Sequence, residues 1–280
     1  MRIYFYNQRD ICWKLPSRER LFKRLGEYDT MAEFTVLAER HFESLCNKAT
    51  SFSDFVNQKA DEYDVKIRNG VSLENYSEAL YKSFMINSHA IFYDFIENFK
   101  NDMRVYIKHD FELIGKPNNS LYERLLKSMF TAGFNPPIPQ WLNDIALYYR
   151  MVRNCVAHNN NDETKCVNVY SQIDLKQMCK DYPLFTNKAP NPPGKITMDD
   201  FYLYSASIKH IANLLTISIQ GFEKWEDIGL YHPELQLNSI PKGTDKRKLI
   251  GQIMNKLGHR CTDNEIGNIL KKMMLQDVIH

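Results

Sequence analysis

The chain of 280 residues is 44% hydrophobic, 25% charged and 12% aromatic, with 11 glycines and 11 prolines. That is enough apolar material for one sizeable core or two modest ones, and it excludes disordered, collagen-like and linker compositions. With 36 basic against 34 acidic residues the formal charge is +2, so attraction to a polyanion can come only from local patches.

Residues 1–6 are apolar with aromatics and could pair as a strand, although no partner strand is evident, so the segment stays undecided. Asn7, Gln8, Arg9 and Asp10 follow at once and leave no apolar region for a secretory signal. Thr30-Met31-Ala32-Glu33 fits a capping box opening a helix that runs to about residue 46, and 52–63 reads as another helix.

Helical periodicity is clearest over 73–103, where Leu73, Tyr76, Leu80, Phe84, Ile91, Phe95 and Phe99 keep 3- and 4-residue steps. The stripe passes through Ser88, flanked by Asn87 and His89. A serine there can satisfy itself on its own i−4 carbonyl, or Ser88, His89 and Asp94 can complete a functional site. Pro136, Pro137 and Pro139 precede a helix over 141–158 with Leu142, Ile145, Tyr149, Val152 and Val156 on its apolar side.

The stretch 181–196, with Pro183, Pro190, Pro192, Pro193 and Gly194, reads as a loop. Thr197-Met198-Asp199-Asp200 then resembles a capping box with Asp for Glu, opening a helix over 198–225 whose buried stripe is Phe201, Tyr204, Ile208, Ile211, Leu215, Ile219 and Phe222. Two short helices, 245–257 and 262–278, are separated at Gly258. From 242 to 280 there are eight Lys or Arg against four Asp or Glu, so this end carries about +4 and is either a basic patch or a solvated face.

The six cysteines (Cys12, Cys46, Cys155, Cys166, Cys179, Cys261) are scattered, with no CxxC and no His-Cys spacing of a zinc site, and read as reduced intracellular thiols. No apolar run approaches the roughly 20 residues of a spanning helix. The expectation is a soluble cytoplasmic protein without cofactor or metal. Its fold class is all-α, with an N-terminal helical segment (1–66), a helical bundle (67–230) and a basic C-terminal helical hairpin (240–280).

Walker, GxSxG, GxGxxG, HExxH and EF-hand patterns are absent, which leaves nucleotide hydrolysis and zinc hydrolysis unsupported. Polar groups suited to chemistry converge at the end of the 141–158 helix. Asn154 and His158 are i and i+4 on one face, with Arg153 beside Asn154 and Arg150 one turn earlier. A helix C-terminus favours cations and holds an imidazole near or above its ordinary pKa of about 6.5, where it can exchange a proton. Arg68-Asn69 lacks the following histidine, so only one of two Arg-Asn pairs completes the pattern.

Arg153-Asn154 followed by three residues and His158, closing an amphipathic helix in an all-helical chain, resembles the signature of the HEPN superfamily. The resemblance covers strictly these positions, with a bundle over about 73–225 as a less specific match. It implies a HEPN-like bundle and a metal-independent endoribonuclease, with Arg153, Asn154 and His158 as its active centre. The ribose 2′-hydroxyl attacks phosphorus, so a proton must move and the phosphoryl oxygens must be stabilised. His158 suits the first need, Arg153 the second, and Asn154 orients one of them.

One imidazole cannot easily serve both sides of the phosphorus, so the resemblance implies a homodimer with a composite site. Arg150, Tyr149, Asn159 and Asn160, with Asn161, would line its mouth and touch RNA, and Lys246, Arg247, Lys248, Lys271 and Lys272 are secondary candidates. The family setting implies a toxin or abortive-infection effector in anti-phage defence that cuts tRNA or mRNA, with a neutralising or activating partner protein. Two readings compete: a non-catalytic HEPN module binding nucleotide, RNA or a partner protein, and an unrelated helical scaffold in which the trio is a helix cap.

Overall fold

A computed structural model describes residues 14–48, 51–67, 73–110, 112–116, 119–158, 163–222, 240 and 243–276. The described chain is all-helical. Its helices are α1 (Pro16–Cys46), α2 (Phe52–Glu62), α3 (Leu73–Asp102), α4 (Leu121–Thr131), α5 (Gln140–His158), α6 (Glu163–Gln172), α7 (Leu175–Asp181), α8 (Met198–Ile219), α9 (Lys246–Lys256) and α10 (Asp263–Gln276). A π-helical turn, Met103–Ile107, prolongs α3, and Lys108 closes it with φ +60°. No helix among the described residues is long and apolar enough to cross a membrane. Residues 1–6 lie outside the described part.

Several boundaries differ from the sequence reading, each for a local reason. The helix assigned to 30–46 begins much earlier, because Pro16 sits at a helix start where its missing N–H costs nothing. Thr30 is therefore interior, and its hydroxyl donates to the Gly26 carbonyl at 3.0 Å instead of capping a start. α8 stops at Ile219, where Gly221 takes φ +92°, a left-handed conformation suited to a helix end. Phe222 is consequently 51% exposed, although its ring meets Phe134 edge-on. Within 181–196 a 3-10 turn, Pro183–Phe185, interrupts the loop. α4, α6 and α7 were not anticipated; α4 opens with a complete capping box, Ser120 with Glu123.

The chain divides into two compact units, neither continuous in sequence. The first comprises 1–23, 90–143 and 206–280, the second 24–89 and 144–205, so the boundaries at 66 and 230 do not coincide with them.

In the first unit the buried apolar residues include Phe92, Phe95, Ile96 and Phe99 of α3, Leu125 and Met129 of α4 and Ile211 and Leu215 of α8, and the Phe92 ring meets that of Tyr122 on α4. Two polar links tie distant segments there. Asp102 accepts the Ser17 backbone N–H at 2.9 Å, satisfying a first-turn donor of α1, and Arg18 Nε donates to Asn213 Oδ1 at 2.7 Å. Burial pushes the Asp102 carboxyl up to about 6. In the second unit Leu25, Phe84, Met85, Ile145, Tyr148, Tyr149, Phe201 and Tyr204 are buried together. Val156, expected on the apolar side of α5, is 39% exposed, so that stripe is buried only as far as Val152.

Candidate functional site

The second unit contains the motif of α5 and a polar cluster beside it. Arg153 is half-buried; its Nη1 donates to Asn154 Oδ1 at 3.1 Å, while its Nε is buried with no hydrogen-bond partner among the described residues. A guanidinium has five donors in a fixed fork, so one buried and unused is costly unless an acceptor arrives. His158 is the last residue of α5. Its side chain, with Asn159, Asn160 and Asn161, lies outside the described part.

His89 of α3 joins this cluster. Its imidazole is buried, bonds through Nδ1 to the Tyr204 hydroxyl at 2.6 Å and stacks on the Tyr204 ring at 6.3 Å. Burial first, then the charges of Arg153 and Arg150, lower the imidazole to about 3, so it is neutral at physiological pH. Ser88 is fully buried, and its hydroxyl has no hydrogen-bond partner among the described residues, so the expected bond to the i−4 carbonyl is not made. Asp94 is exposed and belongs to the first unit.

Tyr149 is corrected from an RNA-facing residue to a core residue. It is fully buried, and its hydroxyl donates to Asp200 Oδ1 at 2.9 Å. Asp200 is the hub of a network that sequence reasoning saw only as a cap. Its Oδ1 also accepts the Asn191 N–H at 2.8 Å, and its Oδ2 accepts from Asn191 Nδ2 and the Thr197 N–H, both at 2.8 Å, and from the Thr197 hydroxyl at 3.0 Å. Burial still holds this carboxyl above its ordinary range, against the pull of those donors. Tyrosine rings run onward from this hub, with Tyr170, Tyr148, Tyr149 and Tyr204 in successive contact at 5.0–5.4 Å. The Thr197-x-x-Asp200 spacing was the available signal; the tyrosines had none beyond periodicity.

The C-terminal basic residues belong to the first unit. Arg247 and Lys248 are exposed and Lys246 half-buried, at the start of α9, where Asp245 accepts the Arg247 and Lys248 N–H groups. Arg247 Nη2 also donates to the Asp263 carbonyl at 3.2 Å. Lys271 is exposed and Lys272 half-buried on α10. Cys155 and Cys166 are free thiols whose sulfurs lie 3.1 Å apart. Among the described residues, one group could hold a metal ion, His259, Cys261 and Glu265.

Chemically, the motif region sets the charges of Arg153 and Arg150 near a neutral imidazole, and guanidinium groups are suited to hold carboxylates or phosphates through their fork of donors. Compared with protein-family models, curated proteins and solved structures, the chain matches none.

Proposed function

We propose that the protein is a metal-independent endoribonuclease acting through Arg153, Asn154 and His158. The observation that carries this reading is the Arg153–Asn154 pair. A half-buried guanidinium is steadied by the neighbouring amide and keeps a buried Nε without a hydrogen-bond partner among the described residues, about one helical turn from His158 on the same helix. An RNA phosphate supplies the acceptor that this group lacks.

In the proposed reaction His158 accepts the proton of the 2′-hydroxyl as its oxygen bonds to phosphorus. Arg153 stabilises the charge that builds on the phosphoryl oxygens, and Asn154 keeps the guanidinium in place. The P–O5′ bond breaks, leaving a 2′,3′-cyclic phosphate and a 5′-hydroxyl. His89 is neutral with a strongly lowered pKa and is bonded through Nδ1 to the Tyr204 hydroxyl, so it is not assigned as the acid that protonates O5′. That acid would come from a second copy of the chain, which makes a homodimer part of the proposal. A cytoplasmic toxin or effector in anti-phage defence, cutting tRNA or mRNA under the control of a partner protein, is the setting that the resemblance to HEPN proteins suggests.

The test incubates purified protein with total tRNA and a labelled single-stranded RNA in EDTA, beside Arg153→Ala and His158→Ala. Cleavage by the unaltered protein alone, with cyclic phosphate ends and at least a hundredfold loss in each variant, is the expected outcome. RNA retained but uncut by all three would favour a binding module, and equal cutting by all three would refute the assignment of the site.

A further inference from the structure

The sequence holds no zinc-site spacing, yet folding gathers three unlike donors at the junction of α9 and α10. We propose that His259, Cys261 and Glu265 form a binding site for a zinc-type divalent transition-metal ion. His259 Nε2, Cys261 Sγ and a Glu265 carboxylate oxygen all lie within 4.8 Å of one another, and the His259 Nε2 to Glu265 Oε1 distance is 3.3 Å. Bonds of about 2.0–2.1 Å to nitrogen and oxygen and about 2.3 Å to sulfur give a zinc tetrahedron edges of roughly 3.3–3.6 Å. The imidazole and carboxylate already stand at that edge length, and the thiol lies at most about 1.2 Å beyond it.

The local fold explains why the donors are held there. Gly258, with φ +84°, ends α9 and turns the chain, so His259 and Cys261 lie between the two helices. Glu265 stands in the first turn of α10 and closes a capping box. Its Oε2 accepts the Thr262 N–H at 2.7 Å and the Thr262 hydroxyl at 2.9 Å, and Thr262 Oγ1 accepts the Glu265 N–H at 3.3 Å. Oε2 is thereby engaged and Oε1 is turned to His259, an outer-shell arrangement that orients a ligating carboxylate.

The donor set selects the metal. A thiolate beside an imidazole and a carboxylate suits zinc or cobalt, and is a poor match for magnesium or calcium, which take oxygen ligands. Three protein donors leave the fourth tetrahedral position for water or another donor. Without metal, burial and the Glu265 charge push the Cys261 thiol up to about 11, so binding must release its proton. The same carboxylate that disfavours the free thiolate becomes a fellow ligand once the cation is present. The site lies in the first unit and is independent of the ribonuclease reading, whose residues lie in the second.

Cobalt(II) is the spectroscopic probe and zinc the competitor, added to the full chain after treatment with chelator and reductant. The expected result is one tightly bound cobalt per chain, with tetrahedral d–d absorption and a near-ultraviolet thiolate-to-metal band, both erased by one equivalent of zinc. Cys261→Ser should abolish the thiolate band, and His259→Ala should weaken binding by more than about a hundredfold, beyond the effect of losing an outer-shell partner. Glu265→Gln keeps the capping box, since Gln also serves at that position, so weaker binding with an unchanged melting temperature of the metal-free protein separates ligation from folding. A thiolate band that survives in Cys261→Ser, or no saturable binding in the unaltered protein, overturns the proposal.

Discussion

His89 is held neutral beside two arginines, and this makes stability depend on acidity in a calculable direction. Its folded pKa of about 3 lies below the ordinary value of 6.5. Between those values the unfolded chain binds a proton that the folded chain refuses, so this residue's contribution to stability falls as the pH drops from 6.5 to 3. Asp102, raised to about 6, acts in the opposite sense over the upper part of that window, so the comparison must be made by difference. Urea titrations of the unaltered protein and of His89→Phe, from pH 7.5 to 4.5, should show a gap that shifts in favour of the variant as the pH falls, by an amount on the order of a few kcal/mol. Tyr149→Phe removes one donor from Asp200 without opening a large cavity. It should cost about 1–2 kcal/mol in the same titration at pH 7. At this scale the candidate trio stands out in the sequence because its residue types and spacing are themselves the signal, and the structure adds the bond from Arg153 to Asn154. The burial of Tyr149 was legible too, since it had been placed on the apolar stripe, and assigning it also to an RNA-facing mouth contradicted that placement. His89 was named as a candidate, but its lowered pKa comes from burial first and then from arginines of another helix, neither of which a local pattern reveals.

Among the elements, caps decide where a helix starts, and two Thr or Ser candidates separate cleanly. Ser120 accepts the Glu123 N–H at 3.0 Å while Glu123 Oε2 accepts the Ser120 N–H at 2.7 Å, so Ser120→Ala should cost about 1 kcal/mol by urea denaturation. Thr30 fits the same four-residue pattern but is interior to α1, and alanine is the better helix former there. Thr30→Ala should leave stability unchanged or raise it by a few tenths of a kcal/mol. A loss comparable to that of Ser120→Ala would contradict a continuous α1. The extents of the long, strongly periodic helices α3, α5 and α8 were read correctly, apart from the end of α8, because burial along one face repeats over many turns, although Tyr76 of α3 and Val156 of α5, placed on those stripes, are exposed. The overlooked helices are the short ones: α4, α6 and α7 have 11, 10 and 7 residues, leaving few turns in which a stripe can declare itself. The Ser-x-x-Glu at the head of α4 was nevertheless available as a signal.

For the whole molecule, the all-helical class followed from composition and period, whereas the division into units did not. Sequence reading joins neighbours along the chain, while the compact units are assembled from segments far apart, as the bond from Arg18 to Asn213 illustrates. The residues of the proposed zinc site and of the proposed ribonuclease site belong to different units, so the two proposals can fail separately. Stripping metal with EDTA should lower the melting temperature of the unaltered protein relative to its zinc-loaded form, by mass action, while leaving RNA cleavage in place.

The four crossings between units, after residues 23, 89, 143 and 205, fall inside α1, α3, α5 and α8. No loop marks a seam. A protease therefore finds no exposed linker at any crossing, and no pair of stop and start codons can release one unit intact. A gene fragment confined to 67–230 would encode parts of both units and the whole of neither, so the motif has to be studied in the uncut polypeptide.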